Sequence, residues 1–166
     1  MAKENSSTTP AIRKLNENKI SYKIHQYEYE EKGGTQQTAE ILNVDEHSVI
    51  KTLVFSSEKQ EFLVLMHGNL EVSTKELARI LNMKKIEPTN ADKAIKSTGY
   101  QFGGTSPFGT KKILPIYVEE TISDLEKVYI NGGKRGFILE ISIDELFKAL
   151  SFSTSSITKV RVGIKK

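Results

Sequence analysis

With 166 residues, a net charge of +3 and 37% apolar against 27% charged residues, the chain describes one soluble globular domain and leaves little room for a second. No apolar run approaches the roughly 20 residues that cross a bilayer, and MAKENSSTTP lacks the apolar core of a signal peptide, so a cytoplasmic location is expected. The absence of cysteine excludes disulfides, thiolate zinc sites and a cysteine nucleophile from this chain. The small positive charge permits contact with an RNA backbone without demonstrating it.

In chain order, residues 1–8 read as a disordered leader. Thr9-Pro10 is an N-cap and first-turn pair opening a helix to about Glu17, with Ile12 and Leu15 inward. Ser21 to Tyr29 reads as a strand. A Lys32-Gly33-Gly34 loop follows, and Thr35 is expected to cap a short helix carrying Ala39, Ile41 and Leu42. Val49 to Phe55 is the strongest strand signal, and Glu61 to His67 pairs with it as a hairpin. Ser73-Thr74-Lys75-Glu76 is a capping box ahead of Leu77, Ile80 and Leu81 at helical spacing. A short strand at Lys85 to Glu87 and a short helix from Asn90 to Ser97 lead into a Gly-rich loop. Ile113 to Val118 begins another strand, where Pro115 argues for an edge or a bulge. Val128 to Asn131 and Phe137 to Ile143 are strands, and Ser142 with Glu145 caps a helix bearing Leu146, Phe147 and Leu150. From Ser151 the chain is Ser/Thr-rich and ends basic, and is expected to be partly ordered at best. The pattern is α/β with a mixed sheet, curled toward a barrel and flanked by helices.

Three segments could carry chemistry. The stretch STGYQFGGTSPFGTKK, Ser97 to Lys112, concentrates Gly99, Gly103, Gly104, Pro107 and Gly109. Glycines let backbone amides approach a ligand closely, which suits a carbonyl or phosphate oxygen. The second segment is the turn NGGKRG, Asn131 to Gly136. The third is Lys51, set in the apolar run VIKTLVF, where it must pair, snorkel or have its pKa lowered. Two readings of Lys51 stand level: a strand-end lysine reaching water, or an ammonium holding an anionic or carbonyl oxygen. The three segments are expected to converge on one site.

Other chemistries fit poorly. Gly104 to Lys111 looks like a phosphate-binding P-loop, but Thr110 precedes Lys111 where the motif needs the reverse, and a strand follows instead of a helix. His25, His47 and His67 have no metal-ligand spacing. Ser106 lacks a nucleophile elbow. Tyr27 and Tyr29 suit a pocket wall or core packing equally. The basic pairs Lys111, Lys112 and Lys134, Arg135 are candidate RNA contacts or simply solvated loop ends.

Taken together, TPAIRKLNENKI at Thr9 to Ile20, HQYEY at His25 to Tyr29, KTL at Lys51 to Leu53, KSTGYQFGGTSPFGTKK at Lys96 to Lys112 and NGGKRG resemble the YbaK/prolyl-tRNA synthetase-associated editing-domain family. The nearest branch is the free-standing Cys-tRNA(Pro) deacylases. The resemblance covers roughly residues 9–150, leaving 151–166 as a tail. It implies a barrel-like mixed sheet, mostly antiparallel, and hydrolysis of the ester joining a wrong amino acid to tRNA, with no metal or organic cofactor. It further implies Lys51, Gly104 and Asn131 as catalytic. Tyr27, Thr52, Gly103, Ser106, Pro107, Gly132 and Gly133 would be substrate-binding, and Lys111, Lys112, Lys134 and Arg135 would touch tRNA. Aminoacyl-tRNA is the implied partner, with prolyl-tRNA synthetase as a second. In the cysteine-editing branch the substrate's thiol attacks its own ester, so the enzyme need not supply a nucleophile. Two positions depart from that branch: Asn131 stands where it has serine, and Gly34 stands near a pocket phenylalanine. A non-catalytic tRNA-binding module and an unrelated small-ester hydrolase are the competing readings.

Overall fold

The computed structural model describes residues 8–154 and 156–166, so the leader expected at 1–8 lies outside it except for Thr8. Helix α1 (Pro10–Glu17) starts where Thr9 accepts the Ile12 amide, and it buries Ala11, Ile12 and Leu15. Strand β1 (Lys23–Gln26) is shorter than the sequence suggests. Its partner strand runs out at Gly136, whose positive φ of 71° turns that chain away.

Helix α2 (Gly34–Leu42) has Gly33 as its N-cap with no capping side chain. The Thr35 hydroxyl expected there donates instead to Glu46 (2.7 Å). After a 3₁₀ turn at Glu46–Ser48 come β2 (Val49–Ser57) and β3 (Glu61–His67), paired as the expected hairpin. Strand β3 is apolar from Phe62 to Met66, where both its faces are covered. Leu63 and Leu65 pack toward Ala11 and Leu15, while Phe62, Val64 and Met66 pack toward Leu77 and Val160.

Strand β4 (Leu70–Val72), helix α3 (Thr74–Leu81), β5 (Ile86–Pro88) and α4 (Ala91–Thr98) follow. Strand β6 (Ile116–Glu119) begins only after Pro115, whose carbonyl still accepts the Leu63 amide. After a 3₁₀ turn at Glu120–Asp124, β7 (Lys127–Asn131), β8 (Phe137–Ser142) and α5 (Ile143–Ser153) complete the expected elements.

The main sheet runs β1-β8-β7-β2-β3-β6 and onward, with β5 attached to one end of β2. Antiparallel pairs (β1/β8, β7/β8, β2/β3, β2/β5) mix with parallel ones (β2/β7, β3/β6). The two outer strands do not pair with each other, so the sheet is curled and open instead of a closed barrel.

The chain beyond Ser151 corrects the expectation of a loose tail. Helix α5 continues to Ser153, β9 (Ile157–Val160) joins the sheet edge parallel to β6, and β10 (Gly163–Lys165) pairs with β4. Buried Val160 and Val162 hold it to the core. The buried Glu119 carboxylate accepts the amides of Val162 (2.8 Å) and Gly163 (2.7 Å). Removing it leaves those donors without a partner, so Glu119→Ala is expected to cost about 1.5–3 kcal/mol. Thermal unfolding should show this as a Tm lowered by several degrees; an unchanged Tm would mean that the terminal strands dock without that carboxylate.

Candidate active site

A break in sheet pairing creates the site. One edge of β2 is taken by β3. On the other edge β7 reaches only Val49 and Ile50, and β5 reaches only Phe55 to Ser57. Antiparallel bonding alternates along a strand. The Val49 carbonyl bonds the Gly68 amide on the β3 side, whereas the Val54 carbonyl takes the Thr89 amide on the opposite side. By that alternation the main chain of Thr52 faces the break. Its buried hydroxyl also lacks a hydrogen-bond partner among the described residues. A cleft of about 990 Å³ opens here, walled by β2, the 27–38 segment, α4 and the Gly-rich loop.

Lys51 stands on this wall, half-buried. Its Nζ lies 3.5 Å from the Gly68 carbonyl and makes no ion pair among the described residues. Burial pushes its pKa down, the Lys166 charge adds to this, and Glu46 and Glu71 oppose it. Lys51 thus sits half-buried beside a cavity with one backbone carbonyl as partner, and burial disfavours its charged form. Lys166 was not foreseen as a site residue. Strand β10 carries it to the cleft wall, where its Nζ is 3.8 Å from Glu46 Oε2. The same Glu46 oxygen accepts from Thr35.

Across the cleft lie the two glycine turns, fastened to each other by Asn131. Its Nδ2 donates to the Gly103 carbonyl (3.1 Å), and its Oδ1 accepts the amides of Gly133 (2.7 Å) and Lys134 (3.1 Å). Gly104 lies buried where the turns touch: a Cβ there would sit 2.9 Å from Arg135 N and Lys134 Cα. Thr9 ties in the start of α1 by donating to the Gly132 carbonyl (2.6 Å). Tyr100 donates to the Phe108 carbonyl (2.6 Å) beneath, and burial pushes its hydroxyl far above the usual phenol range.

Of the residues singled out in the sequence, Tyr27, Lys51, Thr52, Gly103, Asn131 and Arg135 line the one cleft. Tyr27 bonds Thr38 Oγ1 (2.6 Å), and burial raises its pKa. Gly104, Ser106, Pro107 and Gly132 are buried behind the wall. The Gly104 amide is engaged by the Gln101 carbonyl (2.8 Å), and Ser106 Oγ accepts the Phe108 amide within its own turn. On the same wall the amides of Gly103 and Thr105 have no acceptor among the described residues. Gly133 is fixed by Asn131, and Lys134 sits over the Phe137 ring. Lys111 and Lys112 are exposed and do not line the cleft; Lys111 packs over Gly99.

No histidine lines the cleft. His67 is buried, bonding the His47 carbonyl (2.6 Å) and Thr121 (2.8 Å). Among the described residues no group of three potential metal ligands occurs.

With this geometry in view, comparison with known proteins gives a consistent answer. The sequence profile of the aminoacyl-tRNA editing domain matches residues 30–149, and the chain belongs to that family. A candidate Cys-tRNA(Pro)/Cys-tRNA(Cys) deacylase of Enterococcus faecalis, EbsC, is 29% identical over 158 residues, covering 94% of this chain and 96% of that protein. The proline–tRNA ligase of Lactobacillus johnsonii is 26% identical over 119 residues, 71% of this chain but only 21% of the ligase. A solved structure described as a candidate trans-editing enzyme for prolyl tRNA synthetase superposes with a TM-score of 0.78 at 20% identity, covering 96% of this chain and 99% of its own. That similarity is one of fold. At the level of class, the deacylase expectation is met.

The lowered Lys51 pKa has a definite sign. The folded amine is harder to protonate than the unfolded one, so its charge destabilises the fold below both pKa values. The penalty fades as pH rises through the folded pKa toward the ordinary value of about 10.4. Lys51→Met is therefore expected to be more stable than the parent at pH 7 in urea unfolding, with the gap narrowing as pH approaches 10. A destabilised variant would make Lys51 a structural residue.

Proposed function

We propose that the protein hydrolyses the ester of misacylated tRNA in trans, with Cys-tRNA(Pro) or another mischarged tRNA(Pro) as substrate. The observation that carries this is the placement of Lys51 and the Gly103 turn on one cleft that holds neither histidine nor cysteine. Such a site is suited to work by positioning and by polarising the carbonyl. In this reading the Gly103 and Thr105 amides receive the aminoacyl carbonyl oxygen. The Lys51 ammonium holds the ribose end of the ester, and the Thr52 main chain offers further hydrogen bonds at the break in the sheet. Cysteine's thiol then attacks its own carbonyl carbon: the C–S bond forms, the C–O ester bond breaks, and the thiol proton ends on the departing ribose oxygen. Water opens the resulting thiolactone.

Asn131 acts in this scheme by holding the turns, because its amide is committed to three backbone partners. Gly104 likewise serves by permitting close contact, and Ser106, Pro107, Gly132 and Gly133 shape the turns that present the donors. Gly34 lines the cleft with positive φ and open space beyond it. Without a ring at that wall the pocket is wider, and one methylene of fit is worth only about 1–3 kcal/mol. Other small mischarged residues are therefore expected to enter the pocket, and one without a thiol would be cleared only by direct attack of water on the carbonyl carbon. Prolyl-tRNA synthetase is the proposed partner, since proline–tRNA ligases match this chain over about a fifth of their length. Lys111, Lys112, Lys134 and Arg135 remain the proposed tRNA contacts, and the proposed location is the cytoplasm. Among the described residues no helix is long and apolar enough to cross a membrane.

Incubating the protein with tRNA(Pro) mischarged with cysteine, alanine and serine tests this. Cysteinyl ester loss is expected well above the buffer rate, and Lys51→Ala is expected to slow it by about 100-fold or more. Clearance no faster than in buffer for every substrate would contradict a catalytic role and leave the tRNA-binding module standing.

A further inference from the structure

The cleft wall leaves a large aromatic side chain in water. Phe102 is 78% exposed, whereas Phe55, Phe62, Phe108 and Phe137 are buried. Its place is fixed despite that exposure. Arg135 Nε donates to the Phe102 carbonyl (2.9 Å), and Asn131 holds the carbonyl of the next residue, Gly103. The Arg135 guanidinium in turn lies 5.1 Å from the centre of the Tyr29 ring. Gly103 closes the group: a Cβ on it would be 3.0 Å from the Tyr29 hydroxyl and 3.4 Å from Arg135 Nε. The Phe102 main chain is thus held by Arg135, which also covers the Tyr29 ring, so an exposed aromatic side chain, a planar cation and a phenol share one wall with the Gly103 amide.

A planar π surface beside a guanidinium suits an unpaired nucleobase, which stacks through faces that every base possesses. An aliphatic ligand would use neither the planarity nor the cation. We propose that Phe102, flanked by the Tyr29–Arg135 pair, seats the unpaired base at the 3′ end of the RNA. This rests on the deacylase reading for the substrate and adds where its terminal nucleotide is held. The seat lies next to the turn amides, so a base stacked there directs its ribose ester into the cleft toward Lys51. Phe102 is on this account a substrate-binding residue that sets affinity, and the bond-breaking step does not pass through it.

The test uses uncharged tRNA(Pro) whose terminal adenine is replaced by 2-aminopurine, titrated with the full chain. Stacking on the ring is expected to quench its fluorescence. Phe102→Ala is expected to bind about tenfold more weakly with little quenching, and Phe102→Tyr to restore both. Because the ring is exposed, Phe102→Ala should keep the parent Tm, which separates loss of the seat from loss of fold. No quenching by the parent, or equal quenching by parent and Phe102→Ala, would overturn the seat. The readout does not need turnover: quenching without ester hydrolysis would sink the deacylase reading alone, and hydrolysis without quenching would sink the seat alone.

Discussion

A lysine ammonium held where a sheet fails to pair is the constraint on which the rest of this molecule depends. Strand β2 is bonded along one edge, but on the other edge its partners reach only its two ends. The interval between them exposes main-chain groups of Thr52 and gives Lys51 a cavity beside it. Burial disfavours the charge, with Lys166 adding to the effect. A group kept charged against its own desolvation is poised to gain when a ligand oxygen replaces the lost water. Glu46 stands near enough to moderate the field, yet its oxygen is already engaged with Thr35 and faces Lys166.

The opposite wall has the complementary character. It is made of backbone donors whose positions are set by close packing. Gly104 lets two turns approach to a distance no side chain would allow, and Asn131 fastens them with three hydrogen bonds. Thr9 and Tyr100 anchor the same turns to α1 and to the loop below. Amides fixed in this way need no reorganisation when negative charge develops on a carbonyl oxygen. In the proposed reading Lys51 stands on one wall and the Gly103 and Thr105 amides on the other, while the Asn131-bound amides of Gly133 and Lys134 serve to hold the turns.

Much of this was legible in the sequence because it is encoded locally. Thr9-Pro10, Ser73 with Glu76 and Ser142 with Glu145 announce helix starts, and each side-chain oxygen accepts the amide three residues on. The density of glycine in two short stretches marked the turns. Lys51 stayed ambiguous because the break beside it is a property of where β7 and β5 stop, which no window of β2 contains. The terminal strands were missed for a related reason. Lys159 to Lys165 does alternate, with Val160, Val162 and Ile164 on one side, but it follows a Ser/Thr-rich stretch, and the carboxylate that docks it comes from Glu119, 43 positions before Val162. Lys166 reaches the cleft only through that docking. Ser106 and Pro107 sit inside a loop whose motif looks as though it faces a ligand, whereas the loop turns them inward to support the residues that do.

The most direct test is an NMR titration of the Lys51 side-chain amine, with and without a non-hydrolysable amide analogue of cysteinyl-adenosine. The account predicts a pKa below that of the other lysines in the free protein and a clear change when the analogue binds. An ordinary lysine pKa that does not respond to the analogue would contradict it.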